Sequence, residues 1–469
     1  MKDIVFEIED QFPGAFEVEV NGIKMWPYIR IMLRYLMVDK KLGNKPQPSP
    51  ASGWQFSFVR KGKTLWKLLR LAPPFWNRKS TVVIFTNEME KKENHGEYID
   101  KLSELIAEQL GAKSITINYI NPSSEINRKL RNKNAMSGAL IELITSKISR
   151  YFKPQISESH YALLREITEK YGLSIEDLNA RIRYLLAKIK VLKFIFKWRK
   201  PSYVITSCYS YFAEVYAAKS AGALTIELQH GIISPLHPGY ESKRELNHEF
   251  TAENVFVFGN NSIKGLSGNI VNLKKAFPLG NAYLEQLHSQ SLRNDILEIT
   301  RKYKQSVCLP TDYLTELAII SFILPIAKEL PDTVFLVVPR ASIATQAKEQ
   351  IKGQDNIIVL ENIPFQDVVR HCDFHTATNS TCCLEALSLG IPNILIDTEG
   401  RVAQMYETLV SPAFTRFASS REEYKGALEM LHGVRGEDVR NANRDNFEIG
   451  YEDNLQNAFK KLGLDTINV

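Results

Sequence analysis

The stretch HTATNSTCCLEALSLGIPNILID (375–397) decides the fold of the second half of this chain. It opens on the end of a buried-strand pattern, DFHTAT (373–378). Asn379 and Ser380 then suit a helix N-cap, because their side-chain oxygens can take the first free amides. A helix follows to about Leu389. Gly390 fits the left-handed stop, and Pro392 cannot continue a helix. NILID (393–397) is the next strand. Strand, capped helix and strand in succession are the repeating unit of a parallel α/β sheet.

The same alternation extends outward in both directions. Upstream lie the strand patterns SVCLP (306–310), TVFLVVP (333–339) and NIIVLE (356–361), with helices expected at 313–330, 341–352, 364–371 and 381–389. A helical linker near 284–304 precedes them. Before it comes an earlier series, YVITSC (203–208), LTIELQ (224–229), NVFVFG (254–259) and AFPLG (276–280), with a helix at Phe212–Ser220. TVVIFTNE (81–88) and SITINYI (114–120) add two more strands, and 125–200 reads mostly as helix. Near-continuous apolar strands alternating with helices predict parallel sheets covered on both faces.

The expected fold class is therefore α/β, with two doubly wound Rossmann-like domains facing across a cleft and extra N-terminal elements. Expected domains are 1–283 (with an extension, 1–80), 284–445, and a helical tail at 446–469 packing back. Residues 1–45 read as a β-rich start followed by a helix around Trp26–Val38.

The bulk composition agrees with a folded chain of this size. The 469 residues are 44% hydrophobic and 24% charged, with a net charge of +6. That charge is too mild to demand nucleic acid as a partner, and no recognition module for it occurs. The five cysteines form no CxxC pair and no even framework, which points to a reducing compartment. The acidic N-terminus lacks a signal-peptide core and no apolar run is long enough to span a membrane, so a cytoplasmic location is expected, peripheral on the inner face of the plasma membrane.

The helix of 381–389 carries the first chemistry. Free amides and the helix dipole at its start favour phosphate. Ser380 and Thr381 add hydroxyls, and Glu385 lies one turn further in. An isolated cap is more often only structural. Here, however, the segment resembles the donor-nucleotide motif of GT-B glycosyltransferases: the pattern (S/T)-(S/T)-x-x-x-E-A-x-x-x-G-x-P matches Ser380, Thr381, Glu385, Ala386, Gly390 and Pro392. PLGNAYLEQL (278–287) resembles the stretch closing the N-terminal domain of such proteins. The resemblance implies diphosphate binding by Asn379, Ser380 and Thr381, and reading of ribose or sugar by Glu385.

The second chemistry lies in IELQHGIISPLHPGY (226–240). LQHG closing a strand resembles the Q-H-G segment of bacterial capsule, O-antigen and teichoic-acid-type transferases. This places Gln229, His230 and Gly231 at the cleft. His230 has the intrinsic pKa to take a proton from an acceptor hydroxyl. His237, in an HP dipeptide, would be a phosphate or acid partner. A lone strand-end histidine is more often structural; the co-occurring motifs favour function. Tyr240 and Glu227 are weaker candidates.

Softer candidates remain. Gly259 and Asn260 would line the cleft, and Arg340 would hold phosphate where relatives show Lys or His-Pro. Thr311 and Asp312 occupy a strand-end loop, and His95 and Glu88 a loop that would meet the acceptor. No D-x-D occurs. His371 and His375 would not share a helical face, so no metal is expected, and no cofactor beyond a nucleotide-sugar substrate.

Two basic segments, 63–76 and 178–201, resemble interfacial helices. In the second, Leu185, Ile189, Leu192 and Phe196 form the apolar stripe expected to meet an anionic membrane. The alternative is a core-facing helix with a solvated basic face. The expected activity is metal-independent, inverting sugar transfer from a nucleotide sugar to a surface-polysaccharide or lipid-linked glycan acceptor. The rivals are polyol-phosphate transfer from a CDP-alcohol, nucleotide-sugar epimerisation, and a non-catalytic scaffold.

Overall fold

The computed structural model describes residues 4–41, 81–94, 96–121, 124–312, 315–340, 343–378, 380–406 and 408–465. His95, Asn379 and the segment 63–76 lie outside the described residues. The chain divides into two compact units. One comprises Met1–Val257, Leu266–Phe277 and Leu455–Val469; the other comprises Phe258–Gly265 and Pro278–Asn454.

The N-terminus departs from the expected β-rich start. A helix, Ile4–Gln11, comes first and buries Val5, Phe6, Ile8 and Glu9. The alternation of FEVEV survives only as a short hairpin, β1 (Glu19–Val20) and β2 (Ile23–Lys24). Its turn is Asn21-Gly22, both at positive φ, the pair this tight turn requires. The helix expected near Trp26–Val38 spans Trp26–Lys41.

The main sheet of the first unit contains β3 (Val82–Asn87), β6 (Ser114–Tyr119), β7 (Ala135–Ser137), β8 (Tyr203–Thr206), β9 (Leu224–Leu228), β10 (Asn254–Val257) and β11 (Ala276–Pro278). A separate antiparallel hairpin joins β4 (Lys91–Asn94) to β5 (Glu97–Asp100). The strand order is β11-β10-β9-β8-β3-β6-β7, with β3 pairing in parallel with both β8 and β6. Val82–Phe85 are wholly buried, as a central strand covered on both faces must be.

The second sheet contains β12 (Gln305–Thr311), β13 (Thr333–Pro339), β14 (Ile357–Val359), β15 (Phe374–Ala377), β16 (Asn393–Ile396) and β17 (Thr415–Ala418). Its order is β14-β13-β12-β15-β16-β17, parallel throughout. Its core packs Val307, Leu309, Phe335 and Ile394 against Ile319, Ile323 and Tyr424. Counted from its own first strand, each sheet reads 3-2-1-4-5-6, and the first adds one further edge strand. The order reverses between β3 and β8 in one sheet and between β12 and β15 in the other. Such reversals open a crevice beyond the carboxyl ends of the strands, where α/β sheets bind ligands.

The 178–201 expectation needs correction. The helix there, Ile175–Arg199, buries Leu185, Ile189, Leu192 and Phe196 in the core of the first unit. The stripe meant for lipid is spent on packing. Even Lys188 is buried, bridging Glu142 Oε1 (2.9 Å) and Glu214 Oε1 (2.7 Å), while Tyr184 donates to Glu142 and Tyr119 to Glu214. Among the described residues, no helix is long and apolar enough to cross a membrane.

Candidate functional site

In the first unit, β8 and β9 end side by side and deliver Cys208, Tyr209, Gln229 and His230 beyond the sheet. His230 is part-exposed, and its Nε2 lies 3.5 Å from Cys208 Sγ. Burial pushes the Cys208 thiol up to about 12, so it stays protonated at neutral pH and is no nucleophile. Tyr209 is the hub of this group. Its ring lies 5.8 Å from His230, 5.3 Å from His237 and 5.3 Å from Tyr240, the last two edge-on, and it is hydrogen-bonded to Tyr35.

The two expected histidines are brought together but differ in kind. His237 Nδ1 accepts from the Gly239 amide at 3.0 Å and its ring packs on Tyr209 and Tyr240. Burial, reinforced by the guanidinium groups of Arg34 and Arg30 and by the neighbouring His230, pushes its pKa down to about 3. It is therefore neutral at physiological pH. Its ring shapes the loop through the Gly239 amide, Tyr209 and Tyr240. Gln229 is buried and donates to the Gly231 carbonyl at 2.8 Å, folding the turn beside His230. Gly231 stays part-exposed beside His230.

Glu227 does not face solvent, and among the described residues it forms no salt bridge. It is buried under the loop and accepts from Tyr240 Oη at 2.7 Å. Burial raises its carboxyl to about 7, and the Tyr240 bond only partly opposes this.

The loop is held from an unexpected source. Arg30, on the Trp26–Lys41 helix, is 1% exposed. It donates to the carbonyls of Pro238 and Glu241, the latter at 2.9 Å, and pairs with Glu9 at 2.7 Å. Glu9 in turn accepts from Trp26, Ser242 Oγ and the Lys243 amide. The N-terminal helices thus brace residues 238–243. Arg34 lies one helical turn beyond Arg30, close enough to His237 to depress its pKa. Sequence reasoning missed Arg30, Arg34 and Tyr209. Two arginines four apart in an otherwise apolar helix, and the run CYSYF (208–212) after a strand, were the available signals.

In the second unit, β15 ends at the reversal point and leads into Ser380, Thr381 and the Cys382–Ser388 helix. Ser380 is locked. Its amide donates to Tyr406 Oη and its carbonyl accepts from the same hydroxyl, both at 2.7 Å, while its Oγ takes the Cys382 amide at 3.3 Å. Thr381 is part-exposed, and its carbonyl accepts from the amides of Leu384 and Glu385. Glu385 is 4% exposed and accepts from Gln366 Nε2 at 2.6 Å, so its carboxylate is fixed and opens only narrowly. Gly390 takes φ +88°, and a Cβ there would lie 2.8 Å from the Gly436 carbonyl oxygen, so both conformation and space demand glycine.

Gly259 is packed against neighbouring backbone. A Cβ there would lie 2.2 Å from the Asp445 carbonyl, so what approaches it is the chain's own backbone. Asn260 bonds Glu448 at 2.8 Å. Arg340 is exposed at the end of β13, with its amide on the Thr311 carbonyl. Thr311 donates to Glu316, and Asp312 takes the Thr315 amide and hydroxyl at 3.0 Å, so both organise the loop. Glu88 is exposed beyond β3, within 3.5 Å of Ser124 Oγ. His371 Nε2 accepts the Arg293 amide, whereas His375 is buried on β15 and donates from Nδ1 to Asn393 Oδ1, so the two are engaged separately.

No family model matches the chain, and no curated protein matches it in sequence. Solved structures do match in fold. The UDP-GlcNAc 2-epimerase of Methanocaldococcus jannaschii is 13% identical, with a TM-score of 0.50 over 81% of this chain and 99% of that one. The kitacinnamycin glycosyltransferase is 11% identical, with a TM-score of 0.52 over 81% and 98%. HepE of Anabaena, in complex with UDP and glucose, is 11% identical, with a TM-score of 0.50 over 82% and 99%. The fold is GT-B: two Rossmann-like domains in succession.

Proposed function

We propose that this protein is a glycosyltransferase that moves a sugar from a nucleotide donor to a glycan or lipid-linked glycan acceptor of a bacterial surface polysaccharide. The observation that carries the reading is the placement of Ser380 and Thr381 at the reversal point of the second sheet, in a GT-B fold. Donor phosphate would meet the Thr381 hydroxyl, and a ribose or sugar hydroxyl the fixed carboxylate of Glu385. His230, the part-exposed imidazole beyond β9, would take the proton from the acceptor hydroxyl as it attacks the anomeric carbon. The nucleotide diphosphate would leave. The solved neighbour holding UDP makes uridine the first nucleotide to try. The likeness to an epimerase supports a second reading, in which a nucleotide sugar is isomerised with no acceptor.

The test is thermal stabilisation by UDP, GDP, CDP, CMP and dTDP, on wild type and Thr381→Val. A ligand at a hundred times its dissociation constant adds about 2.7 kcal/mol. One nucleotide should shift wild type and shift the variant less. No shift from any of them would overturn the reading. Incubating the matching nucleotide sugar alone and following its anomeric signals by NMR separates epimerisation from transfer.

A further inference from the structure

We propose that the outward side of the Ile175–Arg199 helix, together with the Ala139–Ser149 helix beside it, docks the first unit on an anionic lipid surface. The buried triad of Lys188, Glu142 and Glu214 fixes which sides of these helices face inward. At 100° per residue, the positions opposite Lys188 on the longer helix are Lys190, Lys193, Phe194 and Lys197. All four are exposed, Phe194 by 78%. Opposite Glu142 on the shorter helix lie Ile144 and Lys147, and Tyr151 continues that line just past the helix end. These are exposed too, Tyr151 by 86%.

The surface is thus the reverse of the apolar stripe. It has the composition that lipid interfaces select: cations on flexible stems around a few large apolar groups. Residues 178–200 contain no acid, and Glu142 is the only acid in 139–151. The Lys193 ammonium also lies over the Tyr216 ring, 5.5 Å from its centre. An acidic polymer would reward the lysines alone. The exposed Phe194, Ile144 and Tyr151 between them favour lipid.

The experiment is flotation of the full chain with phosphatidylcholine vesicles, with and without about a third phosphatidylglycerol. Variants are Lys190→Gln/Lys193→Gln/Lys197→Gln and Phe194→Ser. All four positions are exposed, so the melting temperature and any nucleotide shift should be unchanged, which keeps this test separate from that of the donor site. Binding is expected only to the anionic vesicles and should weaken at high salt. Each lysine near such a surface is worth about fivefold, so the triple variant should bind about 100-fold more weakly. Phe194→Ser should cost about tenfold, as a partly inserted aromatic. No binding to anionic vesicles overturns the proposal. So does binding that survives the triple variant, which would place the contact elsewhere in the chain. Capture by heparin with no effect of Phe194→Ser would likewise overturn it in favour of an acidic polymer.

Discussion

Replacing Arg30 by methionine tests the brace under the histidine loop. The side chain keeps its length but loses every donor. Glu9, fully buried at its side chain, is left with three neutral donors: Trp26, Ser242 and the Lys243 amide. Breaking a buried ion pair costs about 3–5 kcal/mol, and the surviving donors place this one near the lower end. The carbonyls of Pro238 and Glu241 lose their donor as well, at about 1 kcal/mol each. The sum is about 5 kcal/mol, which lowers the melting point of a unit this large by about 10 °C. Adding Glu9→Gln removes the orphaned charge and should recover about 2 kcal/mol of it. Calorimetry resolves the two units if they unfold separately, and the transition that nucleotide does not raise belongs to the first. A shift below about 3 °C, or a double variant no more stable than Arg30→Met, would refute the account of Arg30 as the support of the loop.

Other outcomes follow from buried titrations and close contacts. Glu227 titrates near 7 in the fold against 4.5 when free, so its contribution is complete below about pH 4.5 and is lost as pH rises through 7. The first unit should lose on the order of 3 kcal/mol over that window, and urea titrations of Glu227→Gln should show the slope gone. His375 runs the other way. Burial lowers it to about 4, so its contribution is present above pH 6.5 and lost as pH falls through 4. The second unit's melting point should drop across that range in wild type and much less in His375→Gln. Gly259→Ala should destabilise the second unit by at least about 1 kcal/mol, because the new Cβ must displace Asp445. Its nucleotide affinity should be unchanged, and a selective loss of affinity would mark Gly259 as a ligand contact.

The alternation of strands and helices was readable because strands covered on both faces are nearly continuous apolar runs, and Gly390 and Pro392 mark their boundary plainly. Thr415–Ala418 escaped because TRFA, an edge strand, is short and half-polar. The apolar stripe of 178–201 was read correctly as a stripe, but periodicity does not say what covers it, and the core and a bilayer reward the same spacing. The strand-end positions of Ser380, Thr381 and His230 were legible, because each follows directly on a buried-strand pattern. The neutrality of His237 was not, since it arises from Tyr209, Tyr240 and Arg34, which meet it only after folding. Arg30 is the hardest case: a buried cation shows in sequence only as an arginine in an apolar helix, and the two loop carbonyls it holds lie more than two hundred residues away.

The terminal helix, Tyr451–Leu462, begins in the second unit and ends in the first, where Tyr203 donates to the Leu462 carbonyl at 2.8 Å. The first unit therefore cannot be completed in the order in which it is synthesised. Its sheet emerges early, but its last segment arrives only after the whole second unit has been made. During translation the earlier half must wait with a docking surface uncovered. A nick or deletion near residue 455 would then injure the half of the molecule made first, and its symptom would be poor yield from the cell and not a faulty nucleotide site.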